Sequence, residues 1–382
     1  MKNSMSDSSV YRRPLSSGTL SVTPNCPIEL LDELFDIAER RNPKRAFLFV
    51  SKVLGRHIPV SPKKMRETYQ KLACQFPDSL EGPVLFIGMA ETAVGLGAGV
   101  FDEVRNRYQQ AIYLTSTRHP VDQGELLCEF KENHSHATDH LLYLPKTAEQ
   151  RQWVQQAKTV VLIDDEATTG NTFINLLSAL REEGELTHIE QVIAVTLTDW
   201  SGDSISERSP LPIKTLSLVQ GKWQWDANPN APLPVMPNVN ITASGQVAIT
   251  GKQSWGRLGM TTPASDLGLF INASLGEKIL VLGSGEFVWE PFLLAERLEK
   301  QGAIVKYSST TRSPISTNFA IQSAITFTDN YGLGIPNFVY NVAHQQFDRI
   351  LLCCETPAES IDHQLIEALN KVAPIVEVIS YD

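Results

Sequence analysis

The stretch VVLIDDEATTGNT at residues 160–172 is the part of this 382-residue chain that decides its fold. Its first four residues are apolar and predict a buried strand. Two carboxylates, Asp164 and Asp165, follow at the carboxyl end of that strand, where open α/β sheets bind their ligands. The last six residues are small and polar and predict a turn that opens a helix. Backbone N–H groups and threonine hydroxyls there can bind a phosphate group, and Gly170 permits close backbone approach.

Short apolar runs extend this α/β pattern along the chain in both directions. They are rich in β-branched residues and alternate with helix-like stretches, which is typical of a parallel sheet covered on both faces. The runs lie at 84–88, 111–115, 160–164 and 192–198, and again at 278–283, 304–309, 349–355 and 374–380. Between the two groups, residues 205–265 are rich in Pro, Asn and Gly and predict a connector. The chain therefore predicts two α/β domains.

The bulk composition excludes several classes of function. A length of 382 residues favours two domains, and a net charge of −10 argues against non-specific nucleic-acid binding. No apolar core of signal-peptide length occurs near the amino terminus, and no apolar run is long enough to span a bilayer. The five cysteines include no CxxC pair, so neither a disulfide framework nor a zinc site is expected. We therefore expect a cytoplasmic protein without nucleic-acid or membrane partners.

The opening stretch resembles the signature loop of the type I phosphoribosyltransferases at all thirteen positions. The resemblance implies a Rossmann-like parallel sheet that binds phosphoribosyl diphosphate (PRPP). It also implies that Asp164 and Asp165 hold the 2- and 3-hydroxyls of the ribose. The 5-phosphate would be held by Ala167, Thr168, Thr169, Gly170, Asn171 and Thr172. From the residues alone, an unrelated nucleotide-binding turn or a strand-to-helix junction without a ligand stays open.

A second loop follows the strand-like run at 84–88. The family resemblance implies that its backbone N–H groups bind the diphosphate of PRPP, and a plain glycine-rich turn is the alternative. The loop consists of Gly88, Met89, Ala90, Glu91 and Thr92. At the end of the next run, Arg118 is well placed to meet an anionic oxygen.

The segment at 125–143, ELLCEFKENHSHATDHLLY, corresponds to a mobile basic loop that closes over the diphosphate in orotate-type enzymes. By that resemblance, Lys131, His134 and His136 join Arg118 and the acidic pair as candidate catalytic residues. A metal site in HSHATDH and a solvated histidine loop without a function are the alternatives.

Residues 42–60 hold the position of the hood that covers the base in type I enzymes. This segment carries the basic residues Lys44, Arg45, Lys52, Arg56 and His57. Some of these cations could reach a phosphate group, and a solvated basic face is the alternative.

Residues 311–314 read TRSP and link the chain to a narrower family. With the segments at 42–60 and HSHAT, they resemble the bacterial phosphoribosyltransferases of tellurium-resistance gene clusters, whose carboxyl-terminal extension is named after this motif. We therefore divide the chain into four segments. They are a flexible arm at 1–26, a phosphoribosyltransferase domain with an N-terminal hood at 27–204, the connector at 205–265 and a TRSP α/β domain at 266–382.

The second domain echoes the first. VLFIGMAET at 84–92 aligns with ILVLGSGEF at 279–287, which places Glu91 over Glu286. Further along, Arg118 falls over Arg312 and Asp164 falls over Cys354. We interpret the second domain as a degenerate copy that does not bind PRPP in the usual way, and chance similarity between two strand–glycine–helix units is the alternative. Different strand orders in the two halves would exclude the echo. A phosphate or substrate pocket is expected near Ser284, Gly285, Glu286, Thr311, Arg312 and Ser313.

The reaction implied by the resemblance moves phosphoribosyl between PRPP and a small nitrogenous base or its nucleotide, in the synthesis of a nucleotide or nucleoside-like metabolite. Mg²⁺ is the expected cofactor, held mainly by ligand oxygens and water. A PRPP-sensing regulator without catalysis and a scaffold for a partner enzyme of the same cluster are the alternatives. By analogy with type I relatives, a homodimer is a candidate assembly.

Overall fold

A computed structural model describes residues 10–40, 45–131, 140–232 and 256–381. The first half of the chain comprises β1 (Tyr11–Leu15), β2 (Gly18–Pro24), α1 (Ile28–Leu34), β3 (Phe35–Glu39), β4 (Phe47–Ser51), α2 (Pro62–Ala73), β5 (Val84–Gly88), α3 (Val94–Val104), β6 (Ala111–Thr115), β7 (Leu126–Phe130), β8 (His140–Tyr143), α4 (Ala148–Gln155), β9 (Thr159–Ile163), β10 (Glu166–Ala167), α5 (Asn171–Glu182), β11 (Gln191–Asp199), α6 (Ser204–Arg208) and β12 (Ile213–Ala227). The second half comprises β13 (Lys278–Gly283), α7 (Trp289–Lys300), β14 (Ile304–Ser309), β15 (Ala324–Thr328), β16 (Pro336–Tyr340), β17 (Arg349–Cys354), α8 (His363–Leu369) and β18 (Ile375–Ser380).

Each half is built on its own sheet. The first sheet has the order β1-β2-β12-β11-β9-β5-β6, with β10 beside β11. The strands from β12 to β6 are parallel, and β2 pairs antiparallel with both β12 and β1. The second sheet, β14-β13-β17-β18, is entirely parallel. Strand β9 is buried throughout, as its apolar sequence predicts for a central strand. The predicted α/β class with a second α/β domain is confirmed.

The two sheets share one strand order and one register. The order β6-β5-β9-β11 of the first half recurs as β14-β13-β17-β18 in the second. Gly88 pairs with Thr115 on one side and Ile163 on the other. In the same way, Gly283 pairs with Ser309 and Cys353. The internal echo therefore extends to three dimensions, and Cys354, the last residue of β17, takes the position of Asp164, which directly follows β9.

Helices α2, α3 and α7 pack together between the two sheets. The ring of Phe292 on α7 lies 5.6 Å from that of Tyr69 on α2. Arg66 on α2 binds Glu296 on α7 at 2.9 Å and Asp102 on α3 at 2.8 Å. Buried side chains of both sheets belong to one apolar cluster, so the halves share a hydrophobic core.

The halves also exchange short segments at their outer edges. Val60, which precedes α2, pairs antiparallel with Tyr307 in β14, while Met260 pairs antiparallel with Tyr113 in β6. The carbonyl of Gly55 accepts the N–H of Ser309 at 3.0 Å, and the carbonyl of Gly256 accepts that of Thr115 at 3.1 Å. A short segment from each half therefore pairs with the edge strand of the other half's sheet.

The predicted flexible arm and the predicted connector both contain β-strands. The flexible arm is wrong for residues 11–24, which form β1 and β2 and bury Leu20 and Val22 completely. The connector is wrong for residues 213–227, because β12 pairs with both β11 and β2. Serine, threonine and glycine are as compatible with the outer hairpin of β1 and β2 as with a loop, and the Pro-, Asn- and Gly-rich residues after 227 masked the strand pattern of 213–227. Residues 233–255 of the connector lie outside the described residues. No helix in the described part of the chain is long and apolar enough to cross a membrane.

Candidate active site

The acidic pair lies at the carboxyl edge of the first sheet. The N–H of Asp164 donates to the carbonyl of Val195 at 3.0 Å, and the carbonyl of Asp165 accepts the N–H of Leu197 at 3.1 Å. These bonds hold the turn after β9 against β11, and the next two residues form β10. Both carboxylates are partly exposed, so a ligand can reach them.

The predicted phosphate loop, residues 167–172, runs into the start of α5. Gly170 precedes the helix with φ of +74° and no side chain caps the helix there. The first amides of a helix need partners from outside it, and an anion is a favourable one. Ala167 is buried in β10, Thr168 and Thr172 are half-buried, and Thr169 is exposed. The Thr169 hydroxyl accepts the N–H of Asn171 at 3.4 Å.

Two arginines flank this loop. Arg45 lies 2.7 Å from the Glu166 carboxylate and 3.3 Å from the Thr168 hydroxyl. On the other side, Arg208 of α6 donates to the carbonyl of Thr169 and the side chain of Asn171. Arg45 belongs to the predicted hood. Sequence reasoning missed Arg208, because no motif surrounds it and only folding places α6 beside the loop.

The loop at residues 88–92 lies beside the end of β9. The N–H of Met89 donates to the carbonyl of Ile163 at 2.9 Å, and that of Ala90 donates to the Ser116 hydroxyl at 2.9 Å. These two amides are used within the fold. The amides of Met89 and Ala90 are therefore not free for the predicted diphosphate contacts of this loop.

Glu91 is surrounded by three arginines. Its carboxylate lies 2.6 Å from Nε of Arg312, 2.8 Å from Nη2 of Arg56 and 3.8 Å from Nε of Arg118. Burial opposes ionisation of Glu91, but the positive charges of Arg312, Arg56 and Arg118 outweigh it and lower the pKa to about 2. Glu91 is therefore ionised at neutral pH, beside three guanidinium groups.

The remaining basic residues of the predicted site do not join the cluster around Glu91 in the described part of the chain. The Lys131 carbonyl accepts from Asn175 on α5 at 2.9 Å, and the Lys52 ammonium donates to the carbonyl of Asp32 at 2.6 Å. His57 is buried, and burial lowers its pKa to about 3, so it is neutral. His134, His136 and Lys44 lie outside the described residues.

The second half fills the equivalent positions with its own side chains. Glu355, which replaces Asp165, accepts two hydrogen bonds from Arg257, at 2.6 and 2.9 Å, and one from Tyr331 at 2.7 Å. Asp362 caps α8 by accepting the N–H of Gln364 at 2.9 Å, whereas α5 has no such cap. These contacts support the interpretation that the second half does not bind PRPP in the usual way.

The six residues of the predicted second-domain pocket separate into two groups. Gly285, Glu286 and Arg312 contact the first half: the Gly285 carbonyl accepts from Arg56 at 2.6 Å, and Glu286 accepts from the Arg118 N–H at 2.8 Å. Ser284, Thr311 and Ser313 make their hydrogen bonds within the second half. A ligand for this pocket stays a prediction.

The histidine segment has one described member at its end, His140. Its Nδ1 lies 3.1 Å from the Ser116 hydroxyl and its ring stacks on Phe130 at 4.7 Å. His140 thus supports the serine that binds the Ala90 amide. In the described ranges, no cluster of three or more His, Cys, Asp or Glu residues suits a metal ion. The carboxylate oxygens of Asp164 and Asp165 are donors that suit Mg²⁺.

Several solved structures are similar to about half of this chain at low sequence identity. The adenine phosphoribosyltransferase of Rhodothermus marinus is 17% identical, with 50% of this chain and 97% of that chain covered and a TM-score of 0.33. The Trypanosoma brucei adenine phosphoribosyltransferase, solved with AMP, pyrophosphate and ribose-5-phosphate, is 13% identical, with 50% and 80% covered and a TM-score of 0.35. The Saccharomyces cerevisiae enzyme is 13% identical, with 49% and 96% covered and a TM-score of 0.31.

Family models match both halves, although no curated protein matches the chain. The model described as "Phosphoribosyl transferase" matches residues 34–222. The model described as "TRSP domain C terminus to PRTase_2" matches residues 256–369. The two matches are consecutive and together take in most of the chain. The chain therefore belongs to the phosphoribosyltransferase family in which a TRSP domain follows the transferase domain.

Proposed function

We propose that this phosphoribosyltransferase moves the phosphoribosyl group between PRPP and a small nitrogenous base, in the synthesis of a nucleotide or nucleoside-like metabolite. The observation that carries the proposal is the pair Asp164 and Asp165 at the end of β9, followed by the uncapped helix start at Gly170. Carboxylates can accept hydrogen bonds from ribose hydroxyls, and a helix start can bind a phosphate. Their spacing along one turn suits the two ends of ribose 5-phosphate.

The proposed reaction exchanges one bond at the anomeric carbon. In the direction of synthesis, the bond between C1 of the ribose and the diphosphate oxygen breaks, and the diphosphate leaves with the electron pair. A bond from C1 to a nitrogen of the base forms, and that nitrogen releases its proton if it carries one. Asp164 and Asp165 orient the ribose, while Arg118 contributes positive charge near the loop at residues 88–92. Preorganised charge of this kind stabilises a leaving anion.

Mg²⁺ belongs to the proposal as the cofactor. Bound to the diphosphate, it would neutralise the charge of the leaving group. Asp164 and Asp165 are the residues that would hold it, through water. We propose the cytoplasm as the compartment, since all five cysteines are free. Lys131, His134 and His136 remain proposed contributors from the segment between β7 and β8. A homodimer and a partner enzyme from a tellurium-resistance cluster remain proposed assemblies.

The test measures diphosphate release from PRPP in the presence of Mg²⁺ and a panel of purine, pyrimidine and related bases. We expect release that depends on one class of base. The double variant Asp164→Asn/Asp165→Asn should lose activity by at least about a hundredfold, the scale of several charge-assisted hydrogen bonds, with an unchanged melting temperature. Asp78→Asn, at an exposed position ahead of β5, is the matched control and should keep full activity.

The outcomes separate the competing functions. Full activity in the double variant would contradict the assignment of the acidic pair. PRPP binding without release from any base would support a PRPP-sensing regulator instead. Absence of both binding and release would contradict PRPP as the substrate.

A further inference from the structure

Arg118 and Arg312 belong to the equivalent motifs at 116–120 and 310–314, but their side-chain contacts are not equivalent. Arg118 of the first half and Arg312 of the second hold equivalent positions, yet both side chains are directed at Glu91. Glu286, the equivalent of Glu91, has different hydrogen-bond donors. It accepts from the Thr117 hydroxyl at 2.6 Å, the Arg118 N–H at 2.8 Å and Arg257 at 3.0 Å. The fold therefore concentrates positive charge from both halves at one loop.

The Arg312 guanidinium contacts Glu91 through Nε, and its two terminal nitrogens are available for a ligand. Its Nε lies 2.6 Å from the Glu91 carboxylate, and its side chain is 14% exposed. Among the described residues, its two terminal nitrogens have no hydrogen-bond partner. A guanidinium presents five donors in a planar fork that matches the oxygens of a phosphate or carboxylate. The Glu91 carboxylate accepts only some of the hydrogen bonds that the Arg312 guanidinium can donate.

Guanidinium groups from three separate segments of the chain meet at Glu91. Arg56 is anchored by the Gly285 carbonyl at 2.6 Å and by the Glu91 carboxylate at 2.8 Å. With Arg118 and Arg312, three guanidinium groups face one carboxylate. A phosphate-type anion with several charges can accept charge-assisted hydrogen bonds from such a group of guanidiniums.

We propose that Arg312 of the second half is part of the diphosphate site of the first half, so that the active site is composite. Glu91 positions Arg312 through Nε, and the terminal nitrogens bind the diphosphate of PRPP. The TRSP motif then serves the reaction at the first site, not a ligand of its own domain. This inference rests on the proposed function, because it requires PRPP as the substrate.

The experiment compares the binding of two probes to the full-length protein with Mg²⁺ present. Inorganic diphosphate reports on the leaving-group site, and ribose 5-phosphate reports on the acidic pair and the phosphate loop. In Arg312→Gln, diphosphate affinity should fall by about tenfold or more, the scale of hydrogen bonds between charged groups, and the KM for PRPP should rise. Ribose 5-phosphate affinity should stay within about twofold of the original value, since no direct contact of that probe is lost.

Arg297→Gln is the matched control, because Arg297 lies in the same half and binds the carbonyl of Gly268. It removes the same charge and should change neither affinity. Arg312→Lys keeps the charge but cannot bind Glu91 and the ligand through one planar group. Its diphosphate affinity should lie between those of the original protein and Arg312→Gln. This second variant also keeps the test decisive if Arg312→Gln fails to fold.

Three results would contradict either this inference or the proposed function, and each is distinguishable from the others. Unchanged diphosphate affinity in a folded Arg312→Gln protein, with PRPP still bound by the original protein, would contradict this inference and leave the proposed function intact. An equal loss for both probes would assign Arg312 a structural role, and so would also contradict it. Failure of the original protein to bind either probe or PRPP would contradict the proposed function itself.

Discussion

At the scale of single residues, the pKa of a buried carboxyl group in this protein depends on the charges beside it. Glu91, with three arginines, has a pKa lowered to about 2. Glu290 is also buried, at the first turn of α7. Burial raises its pKa to about 8, and the nearby charge of Glu355 adds to this effect. Glu290 is thus largely protonated in the folded protein at neutral pH, while Glu91 is ionised.

The raised pKa of Glu290 predicts a specific pH dependence of stability. Between pH 4.5 and about 8, the folded protein holds a proton on Glu290 that the unfolded chain has lost. Stability should therefore fall as pH rises through that window, by up to about 1.4 kcal/mol per pH unit. Glu290→Gln should remove this contribution and stabilise the protein at pH 8. Urea unfolding at several pH values measures the slope.

Glu185→Gln, at an exposed position between α5 and β11, controls for the change in charge. If Glu290→Gln and Glu185→Gln give the same slope, the buried carboxyl of Glu290 does not titrate in this range.

At the scale of elements, the two equivalent helices α5 and α8 begin differently. Helix α8 is capped by Asp362, a carboxylate from its own half. Helix α5 begins after Gly170 without a side-chain cap, with Arg208 beside it. A carboxylate at a helix start occupies the place that an external anion would take. The difference between the two helix starts therefore supports phosphate binding in the first half alone.

Gly170 is the residue at which the shape of the phosphate loop can be tested. Its φ is +74°, and an added Cβ would lie 2.1 Å from Cγ1 of Ile205 in α6. Gly170→Ala should therefore displace α6 with Arg208, weaken ribose 5-phosphate binding, and cost about 1–3 kcal/mol of stability. Calorimetric binding and urea unfolding measure the two effects.

Gly202 supplies the control for this substitution. Its φ is +60°, but an added Cβ there meets nothing within 4 Å. Gly202→Ala should therefore carry only the cost of the backbone conformation. Equal effects of the two substitutions would show that contact with Ile205 does not shape the loop.

At the scale of the whole molecule, the halves are joined by a shared core, exchanged edge segments and buried charge. Arg257, from the segment that pairs with β6, is 1% exposed and contacts Thr117 of the first half. It also binds Glu286 at 3.0 Å and Glu355 at 2.6 Å. This arginine links the two halves at the position where the second half has lost the acidic pair.

Removal of this buried cation should destabilise the whole protein. Arg257→Met leaves two buried carboxylates without their partner, and we expect a loss of about 3–5 kcal/mol in the free energy of unfolding. Arg349→Met is the control, since Arg349 is 14% exposed and binds Glu277 at 2.9 Å. Greater exposure of both groups should keep its cost clearly below that of Arg257→Met. Equal costs would contradict a special role of Arg257 in joining the halves.

Much of the fold follows from local patterns in the chain. The apolar run before Asp164 and the turn after it predict β9 and the start of α5, because strand burial and helix entry depend on neighbouring residues. The alignment of Asp164 with Cys354 also agrees with the register of the two sheets. The patterns failed at residues 11–24, where an outer hairpin has a loop-like composition, and at 213–227, where a strand was grouped with the Pro- and Asn-rich residues that follow it.

The sequence alone predicted the acidic pair, the phosphate loop and the repeated architecture, because each prediction rests on motifs of contiguous residues. It could not predict that Arg312 reaches Glu91, that Arg208 lies at the phosphate loop, or that the segments at 55–60 and 256–260 cross between halves. These contacts join residues far apart in the chain. They exist only because the shared core docks the two sheets in one orientation, and no local pattern encodes that orientation.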